Sequence, residues 1–247
     1  MFSIFKKKKE IQVADFSGIG TDMHSHLLPG IDDGSPDVET SIELIKGLME
    51  LGYKRFITTP HIMQDVYRNS PATIGAANIQ LQKALQLLDI QVELRAAAEY
   101  MLDDHFDQLL DSNSPLLTLK DNLVLVEFSF VSPPMNAQEK LFQMQMNGYR
   151  PVLAHPERYT YLANNKEFFE TLKNAGCLFQ LNLLSLTGYY GKPAASLAAY
   201  ILSKDYIDLV GTDLHHDRHL TGLLNYGPAY TTLQRLLDRG RLLNPSL

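Results

Sequence analysis

Seven short apolar segments of this 247-residue chain each end in a polar side chain, and six of those endings are good metal ligands. The sixth segment is the exception, because it ends in an amide. Segments that deliver the same kind of side chain at the same end predict that those ends converge on one site. In chain order the endings are His24 with His26, His61, Glu99, Glu127, His155, Asn182, and Asp213 with His215.

Helix-like segments alternate with these apolar segments along the chain. Several end at a glycine just before the next apolar segment, as Gly148 and Gly176 show. Repeated βα units predict parallel strands, because each crossover helix returns the chain to the same end of the sheet. Apolar residues recur at helical spacing in 37–51, 71–88, 103–110, 137–147, 166–175, 194–203 and 230–239.

Two architectures can hold seven parallel strands, an open doubly wound sheet and a closed barrel. An open sheet would spread the ligand-bearing ends over its whole width, whereas a barrel brings the first and last strands together. We therefore predict an α/β fold of the (β/α)7 type, a TIM-like barrel, with its site at the carboxyl ends of the strands. No Pro/Gly-rich linker divides the chain, so residues 19–247 are predicted to form a single domain after a flexible tail of residues 1–18.

Composition excludes several classes of protein. The net charge of −6 argues against a nucleic-acid surface. A single cysteine, Cys177, cannot form an intramolecular disulfide and fits a reducing compartment. No segment approaches the ~20 apolar residues that span a bilayer, and the Lys6–Lys9 run is expected to be a solvated part of the tail. The chain is therefore predicted to be cytoplasmic, without stable membrane insertion.

The first strand carries the densest group of candidate ligands. Asp22, His24 and His26 alternate, so their side chains face the same side of the strand. Two such histidines can grip one ion, and Asp22 is predicted to accept a hydrogen bond from an imidazole and fix its tautomer.

Taken one at a time, most of the other polar endings would be read as core or capping residues. The joint pattern reverses that interpretation, because unpaired buried carboxylates cost several kcal/mol and a fold that gathers them needs cations. A mixed nitrogen and oxygen ligand set suits Mn, Fe or Zn. The carboxylates that would meet are Asp33, Glu99, Glu127 and Asp213; His105, His216 and His219 are expected to be surface or capping residues.

In their order and spacing these residues resemble a known signature. The segments Asp22-Met-His24-Ser-His26, Pro60-His61, Glu99, Glu127, His155-Pro-Glu-Arg158 and Asp213-Leu-His215 resemble the motifs of the PHP (polymerase and histidinol phosphatase) superfamily. The segment from His24 to Gly34 resembles one branch, the bacterial manganese-dependent tyrosine-protein phosphatases encoded with capsule and exopolysaccharide genes. The resemblance runs from Thr21 to Leu237 and implies a distorted (β/α)7 barrel with a trinuclear metal site.

The resemblance also implies how the ligands are shared. Many members of the superfamily carry a histidine where Asp33 stands, and an oxygen ligand there favours harder ions such as Mn over Zn. Three divalent ions are implied, with Mn preferred and Fe or Zn as alternatives. The implied ligand sets are His24, His26, Glu99 and Asp213; then Glu99, Glu127 and His155; then Asp33, His61 and His215.

Phosphate chemistry fits such a site. Three divalent ions against four carboxylates and a hydroxide would leave a small positive charge, which attracts a phosphate dianion. Arg158 is the first candidate for a catalytic phosphate clamp and Arg218 the second. Cys177 lacks an arginine six residues later, which disfavours a cysteine-dependent tyrosine phosphatase.

The predicted function is therefore metal-dependent hydrolysis of phosphotyrosine on a protein. The expected partner is a bacterial tyrosine kinase of polysaccharide export, and no nucleic acid is expected. One alternative is a small-molecule phosphatase, such as a histidinol-phosphate phosphatase, and another is a non-catalytic regulatory module that keeps its metals for structure. A deep closed pocket would favour a metabolite, whereas an open cleft would favour a protein substrate.

Overall fold

The computed structural model describes residues 14–247, apart from the side chain of Pro228. Within these residues the strands form two parallel sheets. One sheet has the order β1-β2-β4, and the other has the order β3-β5-β6-β7-β8-β9. The strands are β1 (Thr21–Asp22), β2 (Arg55–Thr58), β3 (His61–Ile62), β4 (Glu93–Ala96), β5 (Glu99–Met101), β6 (Leu123–Glu127), β7 (Arg150–Ala154), β8 (Leu178–Asn182) and β9 (Leu209–Gly211).

The predicted α/β class with parallel strands is confirmed. The predicted count of one strand per apolar segment is wrong for the second and third segments, each of which is divided into two strands. Thr59-Pro60 separates β2 from β3, and Ala97-Ala98 separates β4 from β5. Proline lacks the N–H that a continuous ladder needs, which accounts for the first break.

Backbone hydrogen bonds join the two sheets where these strands are interrupted. The N–H of Thr59 donates to the carbonyl of Ser25 (2.7 Å), and the N–H of Glu99 donates to the carbonyl of Pro60 (3.1 Å). Ser25 also forms a parallel bridge with Leu214, beyond the end of β9. The segment after β1 is therefore hydrogen-bonded on one side to the second strand segment and on the other side to the last one.

The described residues form eight α-helices, of which six connect strands and two follow β9, and seven of the eight lie where apolar periodicity predicts. The eighth, α7, was not predicted, because its polar first turn hides the apolar spacing of Leu220, Leu223 and Leu224. The helices are α1 (Val38–Glu50), α2 (Pro71–Leu87), α3 (Asp104–Asp111), α4 (Ala137–Met146), α5 (Glu167–Asn174), α6 (Gly191–Ser203), α7 (Asp217–Leu224) and α8 (Tyr230–Asp238). No helix in the described part of the chain is both long and apolar enough to cross a membrane.

The strands are buried on both faces, as parallel strands covered by helices should be. Along β6, Val124 and Val126 belong to a large apolar cluster shared with the helices. Leu125, between them, belongs to a second and smaller cluster with residues such as Ile57 and Val152 from other strands. Alternation along the strands therefore builds two cores, one on each face.

The predicted tail of residues 1–18 needs a correction at its carboxyl end. Ala14 and Phe16 are buried, and Ser17–Ile19 forms a 3₁₀ helix. The Phe16 ring packs edge-on against Tyr53 and Tyr226, with ring centroids 5.8 Å and 5.1 Å away. The core thus takes up part of this segment because its aromatic side chain finds apolar partners. Residues 1–13, including Lys6–Lys9, lie outside the described residues.

Asn244, near the carboxyl end, ties the first strand to the last. Its side chain is fully buried. The Oδ1 atom accepts from the N–H of Val210 (2.9 Å), and Nδ2 donates to the carbonyls of Val210 (2.7 Å) and Thr21 (3.1 Å). These three bonds satisfy backbone groups of both strands.

The substitution Asn244→Ala is expected to destabilise the fold by about 2–3 kcal/mol, because it leaves buried backbone groups without partners. Urea denaturation followed by circular dichroism measures this. Asn225→Ala is the matched control, since that exposed side chain donates only to a carbonyl on its own helix, and we expect a change within about 0.5 kcal/mol. Equal midpoints for the two variants would contradict the role given to Asn244.

Candidate metal centre

His24 and His26, just after β1, are held in one tautomer each. Nδ1 of His24 lies 2.7 Å from Oε1 of Gln180 on β8, and Nδ1 of His26 lies 2.8 Å from Oδ2 of Asp32. An imidazole that donates through Nδ1 presents an unprotonated Nε2 on its other side when it is neutral. The two Nε2 atoms are 3.4 Å apart, so two lone pairs face the same point.

Two buried carboxylates point at the same place. Oε2 of Glu99 lies 3.3 Å from Nε2 of His24, and Oδ1 of Asp213 also lies 3.3 Å from it. Both carboxylates are 3.4 Å from Nε2 of His26. Four electron-pair donors thus converge with no proton between them when both imidazoles are neutral. The arrangement fits a cation, because nothing else would offset the cost of burying these groups together.

Glu99 extends the group in two further directions. Its Oε1 lies 3.1 Å from Nε2 of His155, and its Oε2 lies 3.2 Å from Nδ1 of His61. Nδ1 of His61 is also 2.9 Å from Oε1 of Glu127. These last two contacts lack hydrogen-bond alignment, so Nδ1 of His61 and both carboxylate oxygens are buried without hydrogen-bond partners among the described residues. Such atoms are suited to a metal rather than to one another.

The outermost group opens toward solvent. Asp33, which is half exposed, places Oδ1 3.4 Å from Nε2 of His61 and 3.7 Å from Nε2 of His215. The ring of His215 stacks on that of His26 at 3.9 Å. Asp33 therefore closes the cluster at its exposed end.

All nine predicted ligands fall into overlapping groups whose ligand atoms lie within 4.8 Å of one another. Several details differ from the implied sets. His26 also joins the group of Asp33, His61 and His215. Glu127 groups with His61 and Glu99, and His155 groups with His24 and Glu99. The four groups are His24, His26 and Asp213; His24, Glu99 and His155; His61, Glu99 and Glu127; and His26, Asp33, His61 and His215.

Two predicted ligands have unusual backbone geometry. The φ angles of His155 and Asp213 are 33° and 50°, in the left-handed region that residues other than glycine seldom adopt. Each residue follows a strand closely, where the chain must turn. Strain of this kind is retained where the surroundings fix it, and it is concentrated at functional sites.

Asp22 does not hold an imidazole, which corrects the role predicted for it. Its carboxylate accepts from the N–H (3.0 Å) and the hydroxyl (2.8 Å) of Thr212. Nδ1 of His24 faces β8 instead, and Gln180 takes the predicted place of Asp22. Burial raises the pKa of Asp22 to about 6.

Three supporting side chains were missed by reasoning from the sequence. Gln180 and Asp32 fix the tautomers of His24 and His26. Asn182, the one ending that is not a metal ligand, donates from Nδ2 to Oδ2 of Asp213 (2.9 Å) and to the hydroxyl of Tyr190 (3.1 Å). A signal was available for two of the three, because Gln180 and Asn182 alternate inside an otherwise apolar segment, which places both on one face.

Arg158 lies at the edge of the cluster. Its Nη1 donates to Oδ2 of Asp213 at 2.6 Å, and its guanidinium carbon lies 4.6 Å from the ring centre of Phe130 and 4.3 Å from that of Tyr190. Arg218, the second predicted clamp, is exposed on α7 and is not among the residues that line the cleft. The structure thus brings only the first of the two arginines to the site.

A cleft of about 210 Å³ gives access to these groups. Its lining includes Phe130, which is 49% exposed, and the exposed His216. His219, expected at the surface or as a cap, is buried and accepts a hydrogen bond from the N–H of His215 (3.3 Å). The cleft is lined by Asp33, His61, Glu127, Phe130, His155, Arg158, Asp213, His215, His216 and His219.

Comparison with known proteins agrees with this geometry. A family model described as capsular polysaccharide synthesis, CpsB/CapC, matches residues 20–234. The chain belongs to the CpsB/CapC family. The family resemblance seen in the sequence is thereby confirmed.

Relatives within the CpsB/CapC family are named as tyrosine-protein phosphatases. The chain is 33% identical over 196 residues to tyrosine-protein phosphatase YwqE of Bacillus subtilis, covering 79% of this chain and 77% of that protein. It is 28% identical over 202 residues to tyrosine-protein phosphatase CpsB of Streptococcus pneumoniae, covering 79% and 82%. A crystal structure from work on YwqE and CpsB, described as unique metal-dependent tyrosine phosphatases, superposes with a TM-score of 0.77 at 29% identity, covering 92% of this chain and 94% of that one.

The charged groups of the cluster shift one another's pKa values strongly. Burial alone would raise the pKa of Asp213, but the positive charges that His24 and His215 carry when they are protonated hold that pKa well below its usual value. Burial would likewise raise the pKa of Glu99, and His24 and His61 hold that pKa low. Both carboxylates are therefore kept in the anionic form that a cation requires.

Glu157, beside the cluster, behaves differently. It is fully buried, and its Oε1 accepts from the N–H of Asn182 (3.0 Å) and the hydroxyl of Ser185 (2.7 Å). Its Oε2 has no hydrogen-bond partner among the described residues. Burial raises the pKa of Glu157 from 4.5 to about 7, and Ser185 offsets only part of that effect.

Glu157→Gln is expected to remove a pH dependence of stability. The pKa is 4.5 when the chain is unfolded and about 7 when it is folded, so the folded state binds the proton more tightly. Glu157 therefore contributes fully to the stability of the fold below pH 4.5. This contribution, up to about 3 kcal/mol, is lost as the pH rises through 7. Because an amide mimics the protonated acid, the variant should match the wild type near pH 5 and exceed it near pH 8.

Urea denaturation at several pH values, with chelator present, measures this difference. Glu50→Gln, at an exposed position of α1, is the matched control. A wild-type minus variant difference that does not change between pH 5 and pH 8 would show that Glu157 is ionised throughout.

Proposed function

We propose that this chain is a metal-dependent protein-tyrosine phosphatase that acts in the control of capsule or exopolysaccharide synthesis. The observation that carries the proposal is the convergence of nine nitrogen- and oxygen-bearing side chains, with Arg158 at the edge of the cleft above them. Membership of the CpsB/CapC family and the names of its relatives supply the reaction.

We propose further that the two sheets form one distorted (β/α)7 barrel. At the breaks in the second and third segments, Thr59 bonds to Ser25 of the first segment and Glu99 bonds to Pro60 of the second, so neighbouring segments stay paired across the two sheets. The bridge between Ser25 and Leu214 links the first segment to the last. In this arrangement residues 14–247 form a single domain, and the seven segment ends surround one point.

The proposed cofactor is a set of three divalent ions, with Mn preferred. The chain's own residues fit such ions, because the acceptor atoms converge while the protons of His24 and His26 are directed away from them. Asp33, the oxygen ligand at the exposed end, favours a harder ion than Zn. When bound, such ions polarise phosphoryl oxygens and lower the pKa of water. The proposed ligands are His24, His26, Asp33, His61, Glu99, Glu127, His155, Asp213 and His215.

The protein's own part in the reaction is to bind and orient the phosphate. Arg158 uses one N–H on Asp213, and no other acceptor of the described residues reaches its guanidinium. The remaining donors of this charged group are available for phosphate oxygens, where they stabilise the charge that builds up in the transition state. Burial of the surrounding carboxylates and imidazoles keeps these interactions strong.

The shape of the cleft favours a phosphorylated protein over a metabolite. The lining includes the half-exposed Phe130 and the exposed His216. The phosphate site is thus reached from the surface, and nothing in the described lining closes over a small substrate. A phosphotyrosine side chain extends its phosphate far from the peptide and so reaches the cluster. The proposed partner is a tyrosine kinase of polysaccharide export, in the cytoplasm.

Glu99→Gln is expected to weaken metal binding by more than about 100-fold, since residues that only orient metal ligands are already worth about 10- to 100-fold. Elemental analysis of the purified wild type should find three divalent ions per chain. Chelator should abolish hydrolysis of a phosphotyrosine peptide, and Mn should restore it in the wild type but not in the variant.

Glu93→Gln is the matched control, because this exposed glutamate begins the adjoining strand β4. Full metal occupancy without hydrolysis of any aryl phosphate would instead support the non-catalytic alternative. Faster turnover of histidinol phosphate than of the peptide would support the small-molecule alternative.

Arg158→Ala is expected to lower kcat/KM for a phosphotyrosine peptide by about 10²- to 10³-fold, as the loss of one preorganised charged donor does. The control is Arg241→Ala, which removes an exposed arginine paired with Asp205. Arg218→Ala, assayed beside them, tests the second predicted clamp. An unchanged kcat/KM in Arg158→Ala would contradict the proposed phosphate contact.

A further inference from the structure

Arg158 is held by more than its ion pair. The guanidinium carbon lies over two aromatic rings, 4.6 Å from the centre of Phe130 and 4.3 Å from that of Tyr190. The side chain is 21% exposed, so these contacts are partly desolvated. Contacts of this type are worth more in such surroundings than at an open surface.

The two rings are themselves fixed. The hydroxyl of Tyr190 accepts from Nδ2 of Asn182, which also donates to Asp213, the partner of Arg158. The contacts thus form a closed circuit, which runs from Tyr190 through Asn182 and Asp213 to Arg158 and back to Tyr190. On the other side, Phe130 stacks on the ring of His155 with centroids 5.5 Å apart and an angle of 27°. Each ring is therefore tied to a proposed metal ligand.

The charged donors that remain are poorly satisfied by the protein. Only Nη1 of the guanidinium has a hydrogen-bond acceptor among the described residues, although the group lines the cleft. Partly buried donors without partners are costly unless a ligand takes them. Because no second carboxylate holds these donors, another group must keep them directed at the cleft. The rings of Phe130 and Tyr190 are the groups that contact the guanidinium.

We propose that Phe130 and Tyr190 are positioning residues that hold the Arg158 guanidinium so that its free N–H donors face the phosphate site. The inference rests on the proposed phosphatase function, since it assigns Arg158 a phosphate ligand. It distinguishes these rings from the neighbouring Tyr189, which has no such contact with Arg158. In this role the rings act through the arginine, not on the phosphate.

The test is a double-mutant cycle on the metal-loaded full chain. Phe130→Leu keeps apolar volume but removes the ring, and it is measured alone and combined with Arg158→Ala; Tyr190→Leu is treated in the same way. The readouts are the dissociation constant of inorganic phosphate, by calorimetry, and kcat and KM for p-nitrophenyl phosphate. Phe142→Leu, at an exposed position of α4, is the matched control.

We expect each single ring variant to weaken phosphate binding by about twofold to thirtyfold, and to have no effect once Arg158 is alanine. Phe130→Tyr and Tyr190→Phe should restore most of the affinity because both keep the ring. A loss that is equally large in the Arg158→Ala background would overturn the inference, since the ring would then be acting on the ligand or on the fold.

A second measurement needs no ring variant. The side-chain N–H signals of Arg158, assigned by comparison with Arg158→Lys, should show slow rotation of the guanidinium in the wild type. Rotation as fast as that of the exposed Arg68 would overturn the inference. Binding of inorganic phosphate does not require turnover, so a chain that binds phosphate through this circuit but hydrolyses nothing would refute the proposed function and leave the positioning role standing.

Discussion

Everything in this structure depends on bringing buried carboxylates and imidazoles together without protons between them. Glu99, Glu127 and Asp213 are almost completely buried, and isolated charges in such a place are costly. The fold makes the arrangement tolerable by holding the imidazole protons on the outside. Gln180 and Asp32 do this for His24 and His26. The acceptors then all face inward, where they are suited to hold cations.

The interior below the cluster is layered to support it. Asp22 links the first strand to Thr212, just beyond the last strand, and Met23, between Asp22 and His24, belongs to the smaller apolar core. The close approach of these strands requires glycine at 211. A Cβ there would lie 2.7 Å from Cβ of His24 and 2.9 Å from Nε2 of Gln180. The tautomer of His24 thus depends on the absence of a side chain on the neighbouring strand.

Residue periodicity was enough to predict the class of fold and eight of the nine residues that cluster, because both follow from which strand end each side chain occupies; the ninth, Asp33, lies in the loop after the first strand. Periodicity did not predict which groups meet. Asp22 bonds to Thr212 instead of to an imidazole, and only the packing of distant segments brings Gln180 to His24. Asn182 is the one segment ending that is a poor metal ligand, yet its side chain belongs to the site because it bonds to Asp213. Phe16 shows the same limit, since nothing local indicates that Tyr53 and Tyr226 will receive its ring.

Asp213 contacts both halves of the site, the proposed metal ligands on one side and the proposed phosphate clamp on the other. Its Oδ1 faces the imidazoles of His24 and His26, while its Oδ2 accepts from Arg158 and Asn182. Its backbone is held at a φ of 50°, a conformation that costs about 1–3 kcal/mol for a residue other than glycine. A relaxed backbone would turn one carboxylate oxygen away from either set of partners. The strain is therefore the means by which a single carboxylate holds the proposed metal ligands and the proposed phosphate donor in one fixed relation.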